Sequence, residues 1–122
     1  MSDAYLLLFR DEGLDWSAYD TEERKKAFFQ KFVDWTTELD RRGKLVAVES
    51  LVSGGRTVRR KGVSIVVDGP YAEGREEVLG YFIVAAAGFD EACALAAESP
   101  HSQAGGAVEV RKVGAFPKPK RQ

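Results

Sequence analysis

Asp68 and His101 are the side chains of this sequence whose types best suit proton transfer. His101 is the only histidine, and so the only side chain whose unperturbed pKa lies near neutrality. Asp68 stands in "VVDGPYAEGREEVLGYFIV" (66–84), between two apolar runs, with Gly69, Pro70 and then Glu73, Glu76 and Glu77 behind it. The stretch reads in two ways. It is a strand-to-strand turn in which the aspartate serves the turn, or it holds a carboxylate at the mouth of a pocket, where burial raises the pKa toward that of a general base. On the second reading Tyr71 and Glu73 join it as ligand contacts, a phenol donor and an acid. His101 follows Pro100 beside "SQAGG". If that loop lines a cleft, the imidazole meets Asp68 or the ligand; the plainer alternative is an exposed loop histidine.

Trp16 falls in a loop, outside any helical stripe, and is the candidate aromatic lid over such a cleft. Tyr5 and Tyr81 offer further phenol donors, although tyrosines of this kind commonly sit in a core or interface with the hydroxyl at its edge. Arg56, Arg59, Arg60 and Lys61 form a basic hairpin tip. It reads as a solvated edge that discourages strand aggregation, or more sharply as an anion-steering device. Cys93 is the single cysteine, so neither an intramolecular disulfide nor a cysteine metal cage is expected. A lone histidine without ligand-spaced partners argues against a structural zinc. "SGGR" (53–56) and "AGG" (104–106) match no dinucleotide or phosphate-loop spacing, so no cofactor is implied.

The elements that must position these residues follow from periodicity. "AYLLLFR" (4–10) is a short apolar run, a buried strand. "DEGLDWSAYD" has turn chemistry and no sustained period. Asp20 with Glu23 three residues later is a helix-start signature. Phe28, Phe32, Trp35 and Leu39 then line one helical face, widened by Phe29, Val33 and Thr36, so a helix is expected over 21–42, closed by Arg41, Arg42 and Gly43. A strand (44–52), a hairpin around Lys61-Gly62, a central strand (78–87), an alanine-rich helix (89–99) stopped by Pro100 and a closing strand (106–113) complete the order. The expected fold is α+β: a ferredoxin-like βαββαβ chain with an inserted β-hairpin, an antiparallel sheet and both helices on one face. The face without helices carries "YFIVAAA" and needs cover; a second copy, making a homodimer, is the simplest provider.

The whole chain sets wider limits. Its 122 residues suit a single domain, expected over 1–115, with a short basic, proline-containing tail at 116–122. A formal net charge of −1 leaves no electrostatic footprint for nucleic acid or an anionic membrane. No apolar run approaches the roughly 18 residues of a membrane span. An acidic residue and a brief apolar run at the start do not suit a signal peptide, so the cytosol is the expected compartment.

Three blocks give the chain a family likeness: "YLLLFRDE", "VVDGPYAEGREEVLGYFIV" and "DEACALAAESPHSQAGGAVEVRKV". In that order they resemble the DGPF branch of the YCII-related proteins, with Tyr71 where that branch usually has Phe. The resemblance implies a dimeric α/β barrel with a small-molecule cleft between sheets and helices. The wider superfamily includes isomerases, dehalogenating lyases and cofactor-free monooxygenases, so acid–base chemistry by Asp68 and His101 is one implied function. A non-enzymatic ligand-binding or dimerisation module, accessory to a regulator, is the other. Better-understood relatives are thought to pair a His on the first helix with an Asp before a Pro after the second. Here the first helix has no histidine and Ser99 precedes Pro100, so that dyad does not carry over.

Overall fold

The computed structural model describes residues 2–52, 54–69 and 78–115. Its elements in chain order are β1 (Asp3–Arg10), a 3-10 turn (Trp16–Tyr19), α1 (Glu22–Arg41), β2 (Leu45–Ser50), β3 (Thr57–Lys61), β4 (Ser64–Asp68), β5 (Val78–Ala86), α2 (Phe89–Glu98), α3 (Pro100–Gln103) and β6 (Val108–Lys112). Four strands form one sheet in the order β2-β5-β1-β6, each neighbour antiparallel, while among the described residues β3 and β4 pair only with each other. This mixed α+β arrangement fits the ferredoxin-like pattern with a hairpin inserted between β2 and β5.

Strand alternation sets the layers, because successive side chains point to opposite faces. Tyr5, Leu7 and Phe9 of β1 and Phe82, Val84 and Ala86 of β5 are buried in one cluster with Trp35 and Leu39 of α1 and Ala92, Leu95 and Ala96 of α2. Both helices therefore cover the same face. Leu7, Leu39 and Val84 are wholly excluded from solvent, and truncating such a leucine to alanine costs about 2–5 kcal/mol. On the other face the register sets Leu8 beside Tyr81, Leu6 beside Ile83 and Ala4 beside Ala85, all half-buried. Charged residues edge this apolar strip: Glu109 accepts from Arg10 at 3.1 Å and from Arg111 at 3.2 Å.

Several local expectations change. Thr21, not Asp20, caps α1: its Oγ1 accepts from the Arg24 N–H at 3.1 Å, while Asp20 pairs with the Arg24 guanidinium at 2.9 Å. A hydroxyl one residue nearer the helix holds the capping geometry, which leaves the carboxylate for the cation. Phe29 and Val33 do not widen the buried stripe; they are exposed, 68% and 39%, because the sheet lies under the Phe28–Phe32–Trp35–Leu39 line alone. Pro100 does more than stop α2. With Ser99 as N-cap accepting from the Ser102 N–H at 3.1 Å, it opens the short α3, as proline's fixed φ favours at a first helical position.

Candidate functional site

Along the sheet, residues opposite one another form rows across the strands. On the helix side one row reads Val48–Phe82–Leu7 and the next Ser50–Gly80–Phe9. The second row is short of volume: glycine has no side chain and serine a small one. Nothing larger fits, since a Cβ on Gly80 would stand 2.8 Å from the carbonyl oxygen of Glu49. Above this gap lies the N-terminal half of α1, whose Phe28, Phe29, Phe32 and Val33 form the roof, and Leu14, Trp16 and Tyr19 form a side wall. The result is a cavity of about 650 Å³, within the usual range for small-molecule sites. A glycine within an apolar strand was the sequence signal for it.

The lining is mostly apolar and rich in aromatic residues, several of whose rings are in contact. Tyr19 stacks on Phe28 at 4.4 Å between centroids, Phe28 meets Phe32 edge-on at 5.4 Å, and Phe32 meets Phe9 at 5.7 Å. Phe9 then touches the imidazole of His101 at 5.3 Å. The threonines of the wall are already bonded, Thr36 Oγ1 to the Phe32 carbonyl and Thr37 Oγ1 to that of Val33, so they add little free polarity. Among the described residues, Lys25 and Glu49 are the charged ones in the lining. Behind the wall, the buried indole N–H of Trp35 has no hydrogen-bond partner among the described residues, and its ring rests against Phe82, 4.8 Å between centroids.

His101 is buried, not an exposed loop residue: it is 2% accessible and lines the cavity. Three contacts fix it. Ser99 starts the turn that carries it, the ring lies against Gly106, and Nε2 sits 2.6 Å from the Arg10 carbonyl oxygen. A carbonyl only accepts, so Nε2 bears the proton of the neutral ring and Nδ1 its lone pair. Burial pushes the pKa below the usual histidine value, against the opposing pull of the Arg10 and Ala107 carbonyls and the Asp11 charge. The imidazole is thus held neutral near pH 7. The loop around it is closely packed: Arg10 N–H donates to the Ala107 carbonyl at 3.0 Å and Ala107 N–H to that of Glu12 at 2.9 Å.

The other candidates are distributed differently. Trp16 lines the cavity and is 53% exposed. Asp68 ends β4, is exposed, pairs with Arg59 across the hairpin and is absent from the cavity lining. The structure therefore does not bring Asp68 and His101 together in one cavity of the protomer. Tyr5 belongs to the core, its ring 5.0 Å from that of Phe89. Tyr71 and Glu73 lie outside the described residues. Leu14 and Tyr19 line the cavity without having been singled out.

A family model, the YCII-related domain, matches residues 5–117. The chain belongs to the YCII-related family. An uncharacterized protein of Rhizobium meliloti (strain 1021) is similar to it, 32% identical over 121 residues and covering 91% of each chain. In this YCII-related protein Ser99, before Pro100, is wholly buried and committed to capping α3. His101 therefore has no Asp-Pro carboxylate preceding it in the chain.

Proposed function

We propose that this YCII-related protein is a cytosolic homodimer that binds a small, largely apolar aromatic molecule in the cavity under α1, with His101 as its proton-transfer group. The observation that carries this reading is a single buried imidazole, its pKa pushed down by burial, in the wall of a largely apolar, aromatic-rich cavity of about 650 Å³. A neutral histidine suits abstraction of a proton from a bound carbon or oxygen acid. Isomerisation, elimination and cofactor-free oxygenation all begin that way. The homodimer is supported by the apolar strip of Leu6, Leu8, Tyr81 and Ile83 on the sheet face without helices. "DGP" (68–70) and "VEVR" (108–111) support a place in the DGPF-type branch.

One observation favours a second reading. The Nε2–H of His101 is spent on the Arg10 carbonyl and its ring is wedged against Gly106. Both are structural duties, and they suit a ligand-binding module without chemistry. Native mass spectrometry of gently purified protein tests the shared core of the two readings. A dimer carrying added small-molecule mass is expected; a clean monomer would remove the basis for both.

A further inference from the structure

Among the elements of the described residues, the β3–β4 hairpin makes its substantial contacts only within itself. Its register puts Val58 opposite Val67 and Arg60 opposite Ile65 on one face. Val58, Ile65 and Val67 are 64%, 59% and 55% exposed there, and Val63 at the turn is 97% exposed. An isolated two-stranded hairpin is marginal in water, so an apolar face of this size calls for a cover. The hairpin is also basic, with Arg56, Arg59, Arg60 and Lys61 against Asp68 between positions 54 and 69.

The cavity mouth has the opposite character. Trp16, Phe29 and Val33 expose apolar surface there, and the adjoining segment 11–23 holds six carboxylates and no base. Asp20 and Glu22 have exposed pairs with Arg24 and Lys25. Even with Arg24, Lys25 and Lys26 included, three negative charges remain in excess.

We propose that the hairpin is an exchange arm: in the twofold pair, the arm of each copy lies over the cavity mouth of the other, apolar face to apolar rim and basic edge to acidic loop. A second copy is the occupant because every chain carries both halves of the contact, and a twofold axis closes two identical contacts at once. Arm-on-arm pairing would set like charges together, which disfavours it. The proposal rests on the pair and the ligand cavity proposed above, and makes the ligand site incomplete in one copy alone.

The test uses two full-length variants in a Cys93→Ser background: Val63→Cys, and a size-tagged Phe29→Cys, co-expressed and treated with a short bismaleimide. Both positions are exposed, so folding is preserved. The expected product is the mixed Val63→Cys/Phe29→Cys species, stronger than the Val63→Cys homodimer band. Adding Arg60→Glu with Lys61→Glu should reduce its yield roughly tenfold or more. A chain carrying both cysteines that cross-links within itself would overturn the proposal, since the arm would then close its own cavity. Sedimentation separates the remaining failures. A dimer without the mixed species refutes the arm and leaves the pair standing, whereas a monomer refutes both.

Discussion

Replacing Gly106 by alanine tests how His101 is held, and the structure sets the size of the effect. An added Cβ would stand 2.3 Å from Nε2 and 2.5 Å from Cδ2 of the imidazole, well inside contact distance. The ring must turn or retreat, which breaks its 2.6 Å bond to the Arg10 carbonyl. Overpacking of this kind costs about 1–3 kcal/mol, and the lost hydrogen bond of the imidazole about 0.5–1.5 kcal/mol more. Gly106→Ala should therefore destabilise by about 1.5–4.5 kcal/mol. In a His101→Ala background the new methyl group enters vacated space and should cost less than about 1 kcal/mol. Urea unfolding of the wild type, both single variants and the double variant gives the coupling, expected at about 2 kcal/mol or more. Additivity within about 0.5 kcal/mol would refute the claim that Gly106 and Arg10 clamp the ring.

Three further expectations follow from the same contacts. His101 has a depressed folded pKa, so its stabilising contribution is complete above the unfolded value near 6.5 and is lost as pH falls below it toward the folded pKa. Unfolding free energy should fall there by at most about 1.4 kcal/mol per pH unit, and a His101→Asn variant that keeps the same slope would contradict this. Thr21→Ala should cost about 1 kcal/mol through the lost cap of α1, while Asp20→Ala, which removes only an exposed ion pair, should cost less than about 1 kcal/mol by thermal melts; the reverse order would restore Asp20 as the cap. Asp68→Asn removes another exposed pair and should leave stability within about 1 kcal/mol. Its affinity for naphthol should also be unchanged by calorimetry, and a large loss would place the carboxylate at the ligand.

Much of the fold was legible in the sequence because period and burial agree. The 3.6-residue spacing of Phe28, Phe32, Trp35 and Leu39 marked α1, and the apolar run around Phe82 marked the central strand. The site was less legible, for physical reasons. His101 stands one residue past a proline in a small-residue loop, a pattern typical of exposed turns. Its burial depends on Arg10 and Gly106, and the Arg10 carbonyl comes from 91 positions away. Gly80 gave a local signal, but its meaning depends on Ser50 and Phe9 being its cross-strand neighbours. Phe29 misled for the opposite reason. It shares the helical apolar pattern, yet only the sheet's position decides that it faces the cavity rim and water.

Because the chain has one histidine, tag-free protein gives a single imidazole Cε1–H resonance, which reports on the cavity wall directly. Titration with naphthol, an aromatic probe small enough for the cavity, should move that resonance saturably while the ring stays neutral at pH 7. A resonance that stays fixed up to the solubility limit of naphthol would contradict the account, because the cavity beside His101 would then not admit the class of molecule its walls are shaped to hold.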